Sequence, residues 1–162
     1  MKILISGHSR GIGLSIAEYF TKLGHEVAGY SRSNSKDLAQ VGMRNQFVFD
    51  SITSDIVVLN ANIGFDSVNL LYQVCQVFRG QPGKTVVVIG SQSTETTKNF
   101  PHQYQIEKLS LESAAQQLQN VPGYPTIIVV RPGYVDTRTV AHVANLAKMS
   151  PDSVAEIGRA HV

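Results

Sequence analysis

The stretch Ile3-Leu4-Ile5-Ser6-Gly7-His8-Ser9-Arg10-Gly11-Ile12-Gly13 decides the fold. A short apolar run passes without a spacer into a glycine cluster, and the cluster opens a helical pattern. Ile12, Ile16, Phe20 and Leu23 recur at helical spacing, with Gly24 as the C-terminal stop. A strand, a glycine turn and a helix in that order form the context a dinucleotide phosphate site requires. Gly7 permits a tight turn with positive φ, Gly11 lets backbone approach a pyrophosphate, and Gly13 allows the helix to pack closely. The helix N-terminus offers unpaired N–H groups and a partial positive charge. The competing reading is a tight turn with no ligand.

Outward from this stretch, further apolar and β-branched runs follow: Glu26-Val27-Ala28-Gly29-Tyr30, Asp55-Ile56-Val57-Val58-Leu59, Thr85-Val86-Val87-Val88-Ile89 and Thr126-Ile127-Ile128-Val129-Val130. Most are continuous rather than alternating, as strands covered on both faces are. Between them lie helical stripes, Leu70, Leu71, Val74, Val77 and Phe78, then Leu111, Ala114, Ala115 and Leu118. Alternating strands and helices predict a doubly wound parallel α/β sheet, Rossmann-like, with helices on both faces. Gln46-Phe47-Val48-Phe49-Asp50 reads locally as a strand, but only Ser51 to Ser54 would separate it from the next one. A parallel crossover needs about a dozen residues. The preferred reading is a short strand at Lys36-Asp37-Leu38 and a crossover over 39–54, with Phe49 and Ile52 facing the core. That gives six strands or so. Ser150-Pro151-Asp152 reads as a helix start.

The chain has 162 residues, the size of a single domain spanning 1–162. A net charge of +2 gives no reason to expect nucleic acid or a membrane surface as partner. Cys75, the one cysteine, sits in an apolar helical stretch and is expected to be buried. No apolar run approaches the roughly 20 residues of a membrane span, and the start is too short for a secretory signal. A cytoplasmic protein is expected, and no metal site.

Two further features carry chemistry. After the second strand stand Ser31, Arg32 and Ser33, with no acid to hold a ribose 2′-hydroxyl. Arg32, with Arg10 in the glycine turn, suits a 2′-phosphate, which predicts NADP(H) over NAD(H). The competing reading makes both arginines solvated surface charges. Downstream, Tyr104 and Lys108 are four apart and share a helix face, and Ser91 follows a buried strand. A phenol near an ammonium is drawn toward neutral titration and exchanges a proton with a carbonyl or alcohol oxygen. The competing reading is an ordinary exposed helix pair. Ser93 is a weaker substitute for Ser91, and His102 is expected to start a helix.

In combination these motifs resemble the short-chain dehydrogenase/reductase family from residue 1 to about 157. The matching segments are Ser6 to Gly13, Asn60-Ala61-Asn62, Ser91, Tyr104 to Lys108, and Arg131-Pro132-Gly133-Tyr134-Val135-Asp136-Thr137. The resemblance implies Tyr104 as acid/base, Ser91 as the carbonyl-orienting hydroxyl, and Lys108 lowering the tyrosine pKa while holding the nicotinamide ribose. Asn69 resembles the fourth catalytic residue. Asp37, next to Leu38, resembles the acid that contacts adenine. Asn60, Ala61 and Asn62 line the cofactor in such proteins, and Pro132, Gly133, Val135 and Thr137 surround the nicotinamide carboxamide. The helices over 69–78 and 104–118 resemble a surface that forms homodimers or homotetramers, although the 70–78 stripe also serves as core alone.

The chain departs from the family pattern in length. The connection after Asn62 is cut short, the lid region after Thr137 is thin, and a C-terminally truncated sheet is expected. Asn62 replaces a customary glycine and Ser6 a threonine. The resulting expectation is a minimal NADPH-dependent carbonyl reductase acting on a small carbonyl or alcohol substrate. The alternative is an NADP(H)-binding protein without turnover, in a sensor or regulatory role. A sugar-nucleotide epimerase relative fits the glycine spacing less well.

Overall fold

A computed structural model describes residues 1–95, 100–133, 150, 151 and 153. Five strands, β1 (Lys2–Ser6), β2 (Glu26–Tyr30), β3 (Ile56–Leu59), β4 (Thr85–Ile89) and β5 (Thr126–Val130), form one sheet in the order β2-β1-β3-β4-β5. Every pairing is parallel. The order reverses between β1 and β3, because the chain leaves β1 toward one edge and returns on its other side. That reversal opens a crevice at the carboxyl ends of the two strands.

The strands alternate their side chains between two apolar layers, as the pleat demands. Ile3, Ile5, Ile56, Val58, Val87 and Ile89 pack beneath α1 (Gly11–Lys22) with Ile16 and Phe20. Leu4, Val57, Leu59, Val86, Val88 and Ile127 pack on the opposite face. There they meet α3 (Asp66–Phe78) through Leu70, Leu71, Val74 and Phe78, and α4 (Gln103–Gln119) through Leu111, Ala115 and Leu118. Helices therefore cover both faces. Full burial of each Leu or Phe contributes about 1.5–3 kcal/mol, so these two layers dominate the favourable side of folding. Cys75 lies fully inside the larger layer, as expected, and burial pushes its thiol up to about 12.

Three expectations are corrected. The segment 36–38 is not a strand: Asp37 Oδ1 accepts the Ala39 N–H at 3.0 Å, which turns the chain, and Leu38 plugs the core from a loop. The described sheet therefore has five strands rather than six. The crossover is helical, α2 (Val41–Ser51), as its length requires, but its inner residue is Phe47. Phe49 and Ile52 are 67% and 45% exposed, because the buried stripe runs Phe47, Ser51, Ser54. Leu23 is also exposed, since α1 ends one residue before it and Gly24 turns away with φ +79. At residue 150, Ser150 Oγ accepts the Ser153 N–H at 3.2 Å, the capping bond expected there.

Candidate active site

The glycine turn lies at the reversal point. Gly7 adopts φ +73 and Gly11 φ +54, both in the left-handed region that favours glycine. A Cβ on Gly13 would overlap the Gly7 carbonyl oxygen and stand 2.6 Å from Asn60 Nδ2. The first turn of α1 thus rests on the bend of the chain before it. Asn60, at the end of β3, donates from Nδ2 to the Gly7 carbonyl at 3.1 Å and pins the bend from across the crevice. The Ser6 hydroxyl accepts the N–H groups of Asn60 at 2.8 Å and Ala61 at 3.0 Å. That is a use for the hydroxyl retained at this position. Arg10 caps α1 without a side-chain bond, and the first turn carries no acid. Ser9 and Ile12 complete the loop. The N-terminal dipole is left free for an anion, so the residues present fit a dinucleotide pyrophosphate.

The end of β2 lies alongside. A Cβ on Gly29 would overlap the His8 side chain, so the imidazole of the turn packs against that strand. Its Nδ1 is buried and, among the described residues, has no hydrogen-bond partner. Ser31 opens a short 3-10 turn, Arg32–Asn34, in which Asn34 Oδ1 accepts the Ser31 N–H at 3.0 Å. Ser31 and Ser33 hydroxyls are 2.8 Å apart. Arg32 and Ser33, like Arg10, are exposed. Asp37 and Leu38 follow directly.

The residues expected to transfer a proton lie where β4 ends. The Tyr104 phenol lies beside the Ser91 hydroxyl, whose influence on its titration is a lowering one. Ser91 Oγ also lies 2.9 Å from Ser93 Oγ and accepts the Ser93 N–H at 3.2 Å. Lys108, 4% exposed, donates from Nζ to the Ile89 carbonyl at 2.7 Å, and its Nζ is 5.8 Å from the Tyr104 ring centre. The electrostatics differ from the expectation drawn for this pair. Burial pushes the Tyr104 phenol above its ordinary value, the Ser91 bond opposes this, and the carboxylates of Glu112 and Glu107 add to the rise. The lowering influence on the phenol is the Ser91 hydroxyl, and Lys108 donates to the Ile89 carbonyl. Burial brings the Lys108 ammonium down to about 8, against the pull of Glu112 and Glu107.

Two acids went unremarked in the sequence. Glu112, 3% exposed, accepts from Ser91 N–H, Thr94 Oγ1 and Arg131 Nε. Glu107 accepts from Gln103 Nε2 at 2.7 Å and from Asn62 Nδ2 at 3.3 Å, which ties the Asn60–Asn62 segment to α4. No local pattern marks either one: each reads as a solvent-facing charge beside the apolar stripe of α4, and only tertiary contacts bury it. Asn69 is exposed on α3, and among the described residues no hydrogen bond joins it to Ser91, Tyr104 or Lys108. His102 caps α4, its Nδ1 accepting the Gln105 N–H at 3.2 Å. The Pro132 carbonyl accepts the Gln92 N–H at 3.1 Å, and Gly133 faces the Gln92 side chain, which brings that loop beside Ser91. Val135 and Thr137 lie outside the described residues.

No protein-family profile matches the chain, and a search of curated proteins finds no match. Solved structures do match. A short-chain dehydrogenase from Sphingobium yanoikuyae in complex with NADPH superposes with a TM-score of 0.82 at 17% identity, covering 98% of this chain and 83% of that one. An alcohol dehydrogenase from the archaeon Thermococcus sibiricus, complexed with 5-hydroxy-NADP, gives 0.80 at 20% identity, covering 99% and 89%. A 3-alpha-hydroxysteroid dehydrogenase from Pseudomonas sp. B-0831, complexed with NADH, gives 0.78 at 20% identity, covering 97% and 87%. The chain has the short-chain dehydrogenase fold, a Rossmann-like parallel sheet.

Proposed function

We propose that this chain is an NADP(H)-dependent oxidoreductase that reduces a small carbonyl substrate. One observation carries the reading: Ser91, the Tyr104 phenol and the Lys108 ammonium converge at the carboxyl end of β4, with Lys108 Nζ 2.7 Å from the Ile89 carbonyl and 5.8 Å from the Tyr104 ring centre. The glycine turn, two strands away in the same sheet, would hold the pyrophosphate over Gly11, Ile12 and Gly13. Arg10 and Arg32, with Ser31 and Ser33, would meet the 2′-phosphate, and Asp37 and Leu38 the adenine. Asn60, Ala61, Asn62, Pro132 and Gly133 would flank the nicotinamide end. The bound cofactor supplies a hydride.

The protein's part is proton delivery and orientation. Tyr104, with a phenol held above its ordinary value, stays protonated near neutrality and serves as the acid for carbonyl reduction. Ser91 orients the carbonyl oxygen by a second hydrogen bond. Lys108, brought down to about 8, sits where small electrostatic changes alter its charge.

A second reading, an NADP(H)-binding protein without turnover, draws on the Lys108–Ile89 bond, which turns the ammonium toward the backbone. Oxidation of NADPH in the presence of aldehydes, ketones and quinones separates the two. Turnover by the natural chain and its loss in Tyr104→Phe is expected. Tight NADPH binding without turnover on any of them supports the second reading. Among the described residues no helix is long and apolar enough to cross a membrane. Cytoplasmic residence fits a single cysteine without disulfide capacity. Exposed Tyr72 on α3 and Ile106 and Leu109 on α4 suit self-association through those helices, which light scattering across concentration tests.

A further inference from the structure

Tyr104, Lys108 and Glu112 stand at i, i+4 and i+8, one row on one face of α4. Two of them are fastened to the end of β4: Lys108 Nζ donates to the Ile89 carbonyl at 2.7 Å, and Glu112 Oε1 accepts the Ser91 N–H at 2.9 Å. The Tyr104 phenol lies beside the Ser91 hydroxyl. The other oxygen of Glu112 accepts from Thr94 Oγ1 at 3.1 Å and from Arg131 Nε at 2.7 Å. One carboxylate therefore joins three chain segments: the end of β4, the 3-10 turn Gln92–Glu95, and the end of β5. Gly90 completes the fit, since a Cβ there would overlap Oε1 and stand 2.9 Å from Cδ.

We infer that Glu112 is a positioning residue: its carboxylate, seated against Gly90, sets the place of Ser91 and through it the hydroxyl pair on which proton transfer depends. An ion buried to this degree is a costly way to gain stability alone, since apolar replacement of a buried pair is often neutral or stabilising. Its return is fixed geometry. Removing the carboxylate frees the Ser91 N–H and the Arg131 guanidinium together. The inference deepens the reductase reading and rests on it for the kinetic part of its test.

Two variants separate charge from position. Glu112→Gln removes the charge but keeps an oxygen able to accept from Ser91. Gly90→Ala keeps the charge but displaces the carboxylate, with φ in a region open to alanine. Tyr104 faces Ser91, Glu107, Glu112 and Lys108, so its titration reports on both changes. It is followed by NMR of the tyrosine ring carbons, with Tyr104→Phe supplying the assignment, alongside NADPH oxidation with menadione and with benzaldehyde. In Gly90→Ala, kcat falls about 10- to 100-fold, the scale of a misplacement near 1 Å, while NADPH affinity holds. The phenol then titrates higher, having lost Ser91. In Glu112→Gln, kcat falls less and the phenol titrates lower, having lost a neighbouring anion. Opposite shifts support the inference. Lowered melting temperature in both variants with kcat and the Tyr104 titration unmoved would overturn it. Wild-type protein that oxidises NADPH with neither probe defeats the reductase reading, while the two titration shifts still decide the role of Glu112.

Discussion

Alanine substituted at two helical glycines is expected to act with opposite signs. Gly13 and Gly42 both lie inside helices at ordinary φ, so local propensity favours alanine at each. At Gly42 nothing stands within 4 Å of the added methyl. Gly42→Ala therefore gains about 0.5 kcal/mol, chiefly by narrowing the unfolded ensemble. At Gly13 the methyl meets the Gly7 carbonyl and Asn60 Nδ2, and the bend and the Asn60–Gly7 bond must both give way. Overpacking of about 1–3 kcal/mol and a lost hydrogen bond of about 1 kcal/mol outweigh a propensity gain of about 1 kcal/mol. The net is a loss of about 2 kcal/mol, or a melting temperature lower by about 4–8 °C for a chain of this size. Circular-dichroism melts at one pH measure both variants, and NADPH fluorescence titration follows Gly13→Ala, whose affinity falls as the phosphate bend opens. A Gly13→Ala protein as stable as Gly42→Ala, with NADPH binding intact, refutes the close seating of α1 on the turn.

Further outcomes follow from charge and burial. Lys108 titrates near 8 in the folded chain against 10.5 as a free side chain, so between those values the unfolded chain holds more protons. Stability attributable to Lys108 thus rises with pH from about 8 toward 10.5 and is flat below 8. Lys108→Met removes that rise, and denaturant midpoints across this range measure it. Cys75, buried with its thiol pushed up to about 12, resists thiol reagents until the chain unfolds, so labelling tracks the unfolding transition. Arg32→Ala weakens NADPH binding and leaves NADH binding unchanged; equal losses for both refute the 2′-phosphate contact.

Strand positions were legible because a parallel sheet buried on both faces demands unbroken apolar runs, and 85–89 and 126–130 supply them without competition. The inner face of α2 was not. Its buried stripe is completed by Ser51 and Ser54, whose hydroxyls bond back to the carbonyls of Val48 at 2.6 Å and Asp50 at 3.3 Å. Serines satisfied by carbonyls of α2 occupy core positions while reading as surface, so the sequence pattern points to Phe49 and Ile52 as the apolar face. Leu38 misled in the other direction, a core plug held in a loop by the Asp37 turn. In the candidate site, the nearness of Ser91, Tyr104 and Lys108 was legible because a serine just past a buried strand and two residues four apart on a helix are both placed at the carboxyl edge of the sheet. Glu112 was hidden because its role lies in the end of β5 meeting the end of β4, a contact that no local pattern encodes. The direction of the Tyr104 shift was hidden for the same reason, being set by burial and by two acids from α4 rather than by Lys108.

The most direct test is a crystal structure of the chain with bound NADPH. The pyrophosphate should lie on the N–H groups of Gly11 to Gly13, and the nicotinamide should face Tyr104 and Ser91 with room for a carbonyl about 3–3.5 Å from each reacting atom. A nicotinamide seated away from the end of β4, or phosphates that leave the glycine turn empty, would contradict the account.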